Sequence, residues 1–173
     1  MQSFDPFKAY FGDLHNHCGI SYGHGTLDEA VANAREQLDV CSVTGHAHWP
    51  DMPAPDPLIQ DILDFHHAGF AKLKQGWPAV LARLREVNEE GRFVVFPSFE
   101  IHMNACGDRT VLYRDLDGEI LYAADLADLH RRLQALAAQG HPAIAFPHHL
   151  GYRRGARGID WRTFDPTFAP VVE

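Results

Sequence analysis

The sequence predicts an α/β fold organised around a parallel sheet or barrel, carried by a single domain over residues 1–173. Three observations point there. Strand-like and helix-like stretches alternate along the chain, the order in which crossover helices join parallel strands. Each main predicted strand runs into a histidine or a glutamate, and such folds place their chemistry at the C-terminal ends of strands. No repeat, low-complexity tract or long linker divides the chain, and its length suffices for one hydrophobic core.

The elements follow in order. Residues 10–14 are a short apolar-rich run that enters His15. Thr26 opens a helix with the capping-box pattern Thr26-x-x-Glu29, and Leu27, Ala30, Val31, Ala34 and Leu38 share one face of it. Residues 40–44 read as a buried strand ending at Gly45-His46. Four prolines within residues 49–57 impose an irregular loop. Residues 58–74 are compatible with a helix, and Pro78 fits the first turn of another that runs to about Glu90 before Gly91. Residues 92–96 form a strand leading to Glu100. Residues 110–113 and 119–122 flank the turn Asp115-Leu116-Asp117-Gly118 and suggest a small hairpin. Leu126, Leu129, Leu133 and Leu136 mark an amphipathic helix stopped by Gly140. Residues 143–146 are another strand, ending at Pro147-His148-His149, and Val171-Val172 has the look of one more beginning.

Composition bounds the function. Apolar residues make up 46% and charged residues 22%, an ordinary globular mix. No apolar run has the length of a membrane span, and residues 1–10 lack the apolar stretch of a secretory signal. The net charge of −8 argues against general nucleic-acid binding, and no membrane partner is expected. Cys18, Cys41 and Cys106 are odd in number and widely spaced, which is no disulfide framework. A reducing, cytoplasmic setting is the expectation. Histidine is the outlier, with 12 copies.

Those histidines carry the chemistry. In His15-Asn16-His17 the two imidazoles are two residues apart, so in extended chain they point to one side and can reach one metal ion. Alone the motif is short, and two surface histidines would look the same. His46 ends the next strand, Glu100 the third, and His148 and His149 the last. Parallel strands bring such ends side by side. Imidazole and carboxylate without thiolate suits zinc, manganese or iron(II). Gly151, Gly155 and Gly158 interleave with Arg153, Arg154 and Arg157 on the loop after the last strand. Three guanidiniums there can clamp a phosphate or carboxylate of a small anionic substrate, or simply face solvent.

Residues 12–23, Gly-Asp-Leu-His-Asn-His-Cys-Gly-Ile-Ser-Tyr-Gly, resemble the first motif of the PHP (polymerase and histidinol phosphatase) superfamily, roughly D-L-H-x-H-T-x-x-S-D-G. Residues 38–46 resemble its second motif, which usually ends in T-D-H. Glu100 matches the glutamate after the third strand, and Pro147-His148 a later histidine motif. The fit is closest to a PHP-related branch of unknown function. The resemblance implies a distorted (β/α)7 TIM-like barrel with two or three divalent metals (Zn, Mn or Fe) at the strand ends. It implies that His15 and His17 bind one ion, that Glu100 bridges it to a second ion held with His148, and that His46 belongs to a third position. A complete eight-unit barrel needs about 250 residues, so the expectation is an incomplete barrel. The chain would be its N-terminal portion, and a missing C-terminal segment of the same protein would be a partner.

This chain departs from the pattern in ways that matter. Tyr22 stands where the family has the aspartate of S-D-G, and Gly45 where it has the aspartate of T-D-H. His24 is a candidate replacement ligand. His102, on the same face as Glu100, and Asp108 both remain candidates for the histidine that usually follows the glutamate. His149 competes with His148. The closing D-x-H motif has no match. The expected function is a metal-dependent hydrolase of phosphoesterase type, with a di- or trinuclear His/Glu site that activates water. The alternatives are a hydrolase of carboxylic esters, lactones or amides, and a non-catalytic metal-binding or assembly domain. His48 is read as support behind the ligands, and His66, His67, His130 and His141 as ordinary surface or loop residues.

Overall fold

The computed structural model describes residues 9–172. Residues 1–8, within the stretch read as lacking a secretory signal, and Glu173 lie outside the described residues. The strands are β1 (Gly12–Asn16), β2 (Val40–His48), β3 (Val94–Val95), β4 (Ser98–Ile101), β5 (Arg109–Tyr113) and β6 (Ala143–Pro147). The helices are α1 (Leu27–Arg35), α2 (Gln60–Val87) and α3 (Leu126–Ala138). The sheet runs β1-β2-β4-β5-β6, with β3 pairing the start of β2. The pairs β1/β2 and β2/β4 are parallel, while β4/β5 and β5/β6 are antiparallel.

This mixed, half-barrel sheet corrects the expected (β/α)7 TIM-like barrel. Among the described residues there are three α-helices, too few to accompany seven strands. The reversal at β5 has a simple cause. Only residues 102–108 join β4 to β5, and a parallel return needs a crossover of a dozen residues or more. The chain must therefore fold straight back. The segment bearing α3 then begins and ends at one end of β5, since Tyr113 pairs with Ala143. As a result β6 runs in the direction of β4, and β1, β2, β4 and β6 all end at one mouth, where β5 begins.

The strands alternate faces. Val43, Phe99, Val111 and Ala145 join the main core under the helices, with Leu73, Trp77 and Leu84 of α2 and Leu129 and Leu133 of α3. The opposite, concave face holds Leu112, Phe146 and Ala169 with Leu14, Phe96 and Ile144. It becomes polar toward the mouth, where the hydroxyls of Ser42, Thr44 and Ser98 bond one another.

Three local expectations are revised. Residues 58–90 carry one helix through Pro78 rather than two, because the buried face Leu73, Trp77, Val80, Leu84 continues across it and Pro78 sits on the exposed side. There a lost N–H bond can be taken up by water. Residues 119–122 form no strand: Trp77 donates to Gly118 O and Tyr113 to Glu119 O, pinning the segment as packed coil. Val171 and Val172 also form no strand, and line a cleft with Gly12, Leu14, His15 and Phe146. The capping box at Thr26 is formed as read. Among the described residues no helix is long and apolar enough to cross a membrane.

Candidate metal centre

Glu100 is the hub. It lies near the end of β4, fully buried, and its Oε2 faces imidazole nitrogens from two other strand ends. His46 Nδ1 is 3.2 Å away, His15 Nε2 3.4 Å and His17 Nε2 3.7 Å. Register slips put these rings there: one lies between Asp13 and Asn16 in β1, another after His46 in β2. The far side of each β1 ring is held. His17 Nδ1 lies 2.6 Å from the Thr44 carbonyl. A carbonyl only accepts, so Nδ1 carries the proton and Nε2 presents its lone pair toward Glu100. His15 Nδ1 lies 2.6 Å from Thr110 Oγ1. His15 Nε2 and His17 Nε2 are 2.9 Å apart, a distance that requires a proton or another cation between them.

The electrostatics are those of a cation site. Burial works against ionisation of Glu100, but neighbouring His102 and His15 outweigh it and hold the carboxyl well below the ordinary carboxylate range. Burial pushes His46 down to about 2, against the raising effect of Glu100, and lowers His17 likewise. The Glu100 carboxylate thus faces neutral imidazoles at His46 and His17. Glu100 Oε2 and His46 Nδ1 are buried without a hydrogen-bond partner among the described residues, and an orphaned buried group costs about 1–3 kcal/mol, more when charged. A divalent cation among these donors would satisfy them together. Three groups sharing Glu100 could hold an ion: His15, Glu100 and His148; His17, His46 and Glu100; and Glu100, His102 and Asp108. None of the three cysteines belongs to these groups, so the donor set is imidazole and carboxylate, which fits zinc, manganese or iron(II).

Around the hub the packing is aromatic. His15 stacks on His148 with centroids 3.8 Å apart, and His17 on His46 at 4.3 Å. Tyr22 stacks on His46 at 4.0 Å, and its hydroxyl meets His102 Nε2 at 3.0 Å. His102 Nδ1 lies 3.1 Å from both Asp108 Oδ2 and Glu100 Oε1. Burial opposes a cation at His102, but these two carboxylates raise its pKa. Arg157 closes this side: its Nε donates to Asp108 Oδ2 at 2.7 Å and its Nη2 to Glu100 Oε1 at 3.3 Å.

The structure therefore gathers His15, His17, His46, Glu100, His102 and His148 at one mouth. Besides the family-based grouping, in which His15 and His17 share an ion and which their 2.9 Å separation permits, the geometry places His15 with His148 and His17 with His46. Asp108 and His102 fall together rather than as alternatives. His24 is exposed and outside all three groups. His149 stacks on Tyr152 and packs at a tilt against His148, in a left-handed backbone conformation. Of the loop arginines only Arg157 enters the centre. Arg153 and Arg154 are exposed, and Arg154 faces Asp160 at 3.6 Å. His48 bonds the Ala123 carbonyl and serves packing. Sequence reasoning missed Thr110 as a support because it belongs to no ligand motif, and Tyr22 because it was read only as the loss of a motif aspartate. It also missed His66 of α2, buried with its ring edge toward Tyr22 and His102. A signal existed for His66: it shares the helical face of Leu63, Gly69 and Leu73, which marks it as inward-facing.

No protein-family model matches the chain, and no curated protein matches it. Among solved structures, the crystal structure of PsfC from Pseudomonas syringae PB-5123 is similar, with a TM-score of 0.53 at 17% identity over 93% of this chain. The match covers 63% of PsfC, so this chain spans less than two thirds of that protein. At this identity the likeness is one of fold.

Proposed function

We propose that the chain is a metal-dependent hydrolase of small anionic esters, phosphate esters first among them. The motif resemblance to the PHP superfamily supports that reaction class. The observation that carries it is the buried Glu100 carboxylate, whose Oε2 lies within 3.7 Å of nitrogens from three histidines. His15 and His148 would hold one ion and His17 and His46 another, with Glu100 shared. Divalent ions bound there supply Lewis acidity and the means to activate water. The chain's own residues do the rest. Thr110 and the Thr44 carbonyl orient the β1 imidazoles. Tyr22 shields His46 from water on its stacked face. His17 has the most exposed side chain of those facing Glu100, so substrate approaches from its side. Among the described residues, Glu100 and Asp108 are the anions of the centre and Arg157 its fixed cation, so a loaded mouth is net positive and favours an anion.

The test is hydrolysis of a panel of phosphomonoesters, phosphodiesters and carboxylic esters by protein purified without chelator. At least one turns over in a metal-dependent manner, and Glu100→Gln lowers turnover about 100-fold or more, since even partners behind a ligand are worth 10–100-fold. Near-wild-type turnover in Glu100→Gln, or in chelated protein, contradicts the proposal.

A further inference from the structure

We propose that Arg157 is a built-in cation that fills the third group, Glu100, His102 and Asp108, and so limits the centre to two ions. The inference rests on the two-ion reading above and adds what closes the remaining position. All three side chains of this group are fully buried, and their donor atoms lie close enough to one another to hold an ion. The guanidinium already spans them. Nε donates to Asp108 Oδ2 at 2.7 Å, while Nη2 contacts Asp108, Glu100 Oε1 and His102 Nδ1. A planar fork with a permanent charge suits two carboxylates at once, and it already engages the donor atoms that an ion in this group would need.

The loop is built to deliver this side chain. Arg157 has a φ of 66°, a left-handed conformation that a residue other than glycine keeps only when its surroundings hold it there. They do: the Asp108 N–H donates to the Arg157 carbonyl at 3.2 Å, and the Asp160 N–H to the Cys106 carbonyl at 3.3 Å. Gly107 lies so close to the loop that a Cβ on it would come within 2.7 Å of Ile159 Cα. The loop is thus fastened to the turn that carries Asp108. The consequence is a division of Glu100. Its Oε1 belongs to Arg157 and His102, and its Oε2 remains for the histidines of β1 and β2.

Elemental analysis of protein equilibrated with excess zinc or manganese and then desalted tests this. The wild type retains two ions per chain and Arg157→Ala retains three. His102→Gln in the otherwise native chain retains two, because His102 holds no ion; this arm stands even if Arg157→Ala fails to fold. Three ions in the wild type, no gain in Arg157→Ala once folded, or the loss of an ion in His102→Gln would each overturn the inference while leaving a metal centre in place. A wild type that retains none overturns both the inference and the reading beneath it.

Discussion

At the scale of the residue, the centre depends on which nitrogen of each histidine carries a proton. The Thr44 carbonyl settles this for His17, and Thr110 anchors the far nitrogen of His15. Thr110→Val removes that anchor without changing bulk. It should weaken metal affinity about 10–100-fold, measured by competition with a chromophoric chelator, and an unchanged affinity would show that packing alone orients His15. The metal-free protein should also respond to pH in a defined direction. His46, folded, is pushed to about 2 against an ordinary 6.5, so the unfolded chain binds the extra proton throughout that window. Stability then falls as pH drops below 6.5, by up to about 1.4 kcal/mol per pH unit from this group. His17 acts in the same sense, and Glu100 adds its loss as pH falls through its own depressed value. His102 opposes them, since its raised pKa gives stability present below 6.5 and lost as pH rises through its folded value. Urea unfolding of chelated protein should show a shallower acid loss in His46→Gln than in wild type. Equal slopes would place the effect on other groups.

At the scale of the element, what could be read from the sequence was what is local. The Thr26 box, the leucine stripe of α3 and the strand runs ending at His46 and His148 follow from side-chain chemistry within a few residues, and all are present. The reversal of β5 was not legible from such patterns, because alternation reads the same in either direction. The continuity of α2 depends on a buried face that outvotes one proline. Gly45 is the instructive position. It stands where the related motif has an aspartate, yet it lies on the opposite face of β2 from His46, and a Cβ there would come within 2.6 Å of Leu73 and 3.2 Å of Ile20. A larger side chain there would have to displace the buried Leu73 of α2. Gly45→Asp should therefore add no metal affinity, and by crowding a buried apolar face it should cost about 1–3 kcal/mol or more. Tighter metal binding in a stable Gly45→Asp variant would refute this placement.

At the scale of the whole molecule, a mixed half-barrel sheet stands where an incomplete (β/α)7 barrel was expected. A site needs strand ends converging at one mouth, not a closed ring, and β1, β2, β4 and β6 end together because β5 alone runs backward. The ligand motifs were legible because they sit at strand ends whatever the sheet's closure. The pairing of His15 with His148 and of His17 with His46 was not, because it depends on how the sheet curls to stack these rings. The two ion positions should thus draw on residues far apart in sequence, and an ion at each should brace the mouth. The most direct measurement is anomalous diffraction from crystals grown with zinc or manganese. Two anomalous peaks are expected beside Glu100, one against His15 and His148 and one against His17 and His46, with Arg157 still on Asp108. A metal-saturated crystal with no anomalous peak at Glu100, and the histidines bonded directly to its carboxylate, would contradict the account.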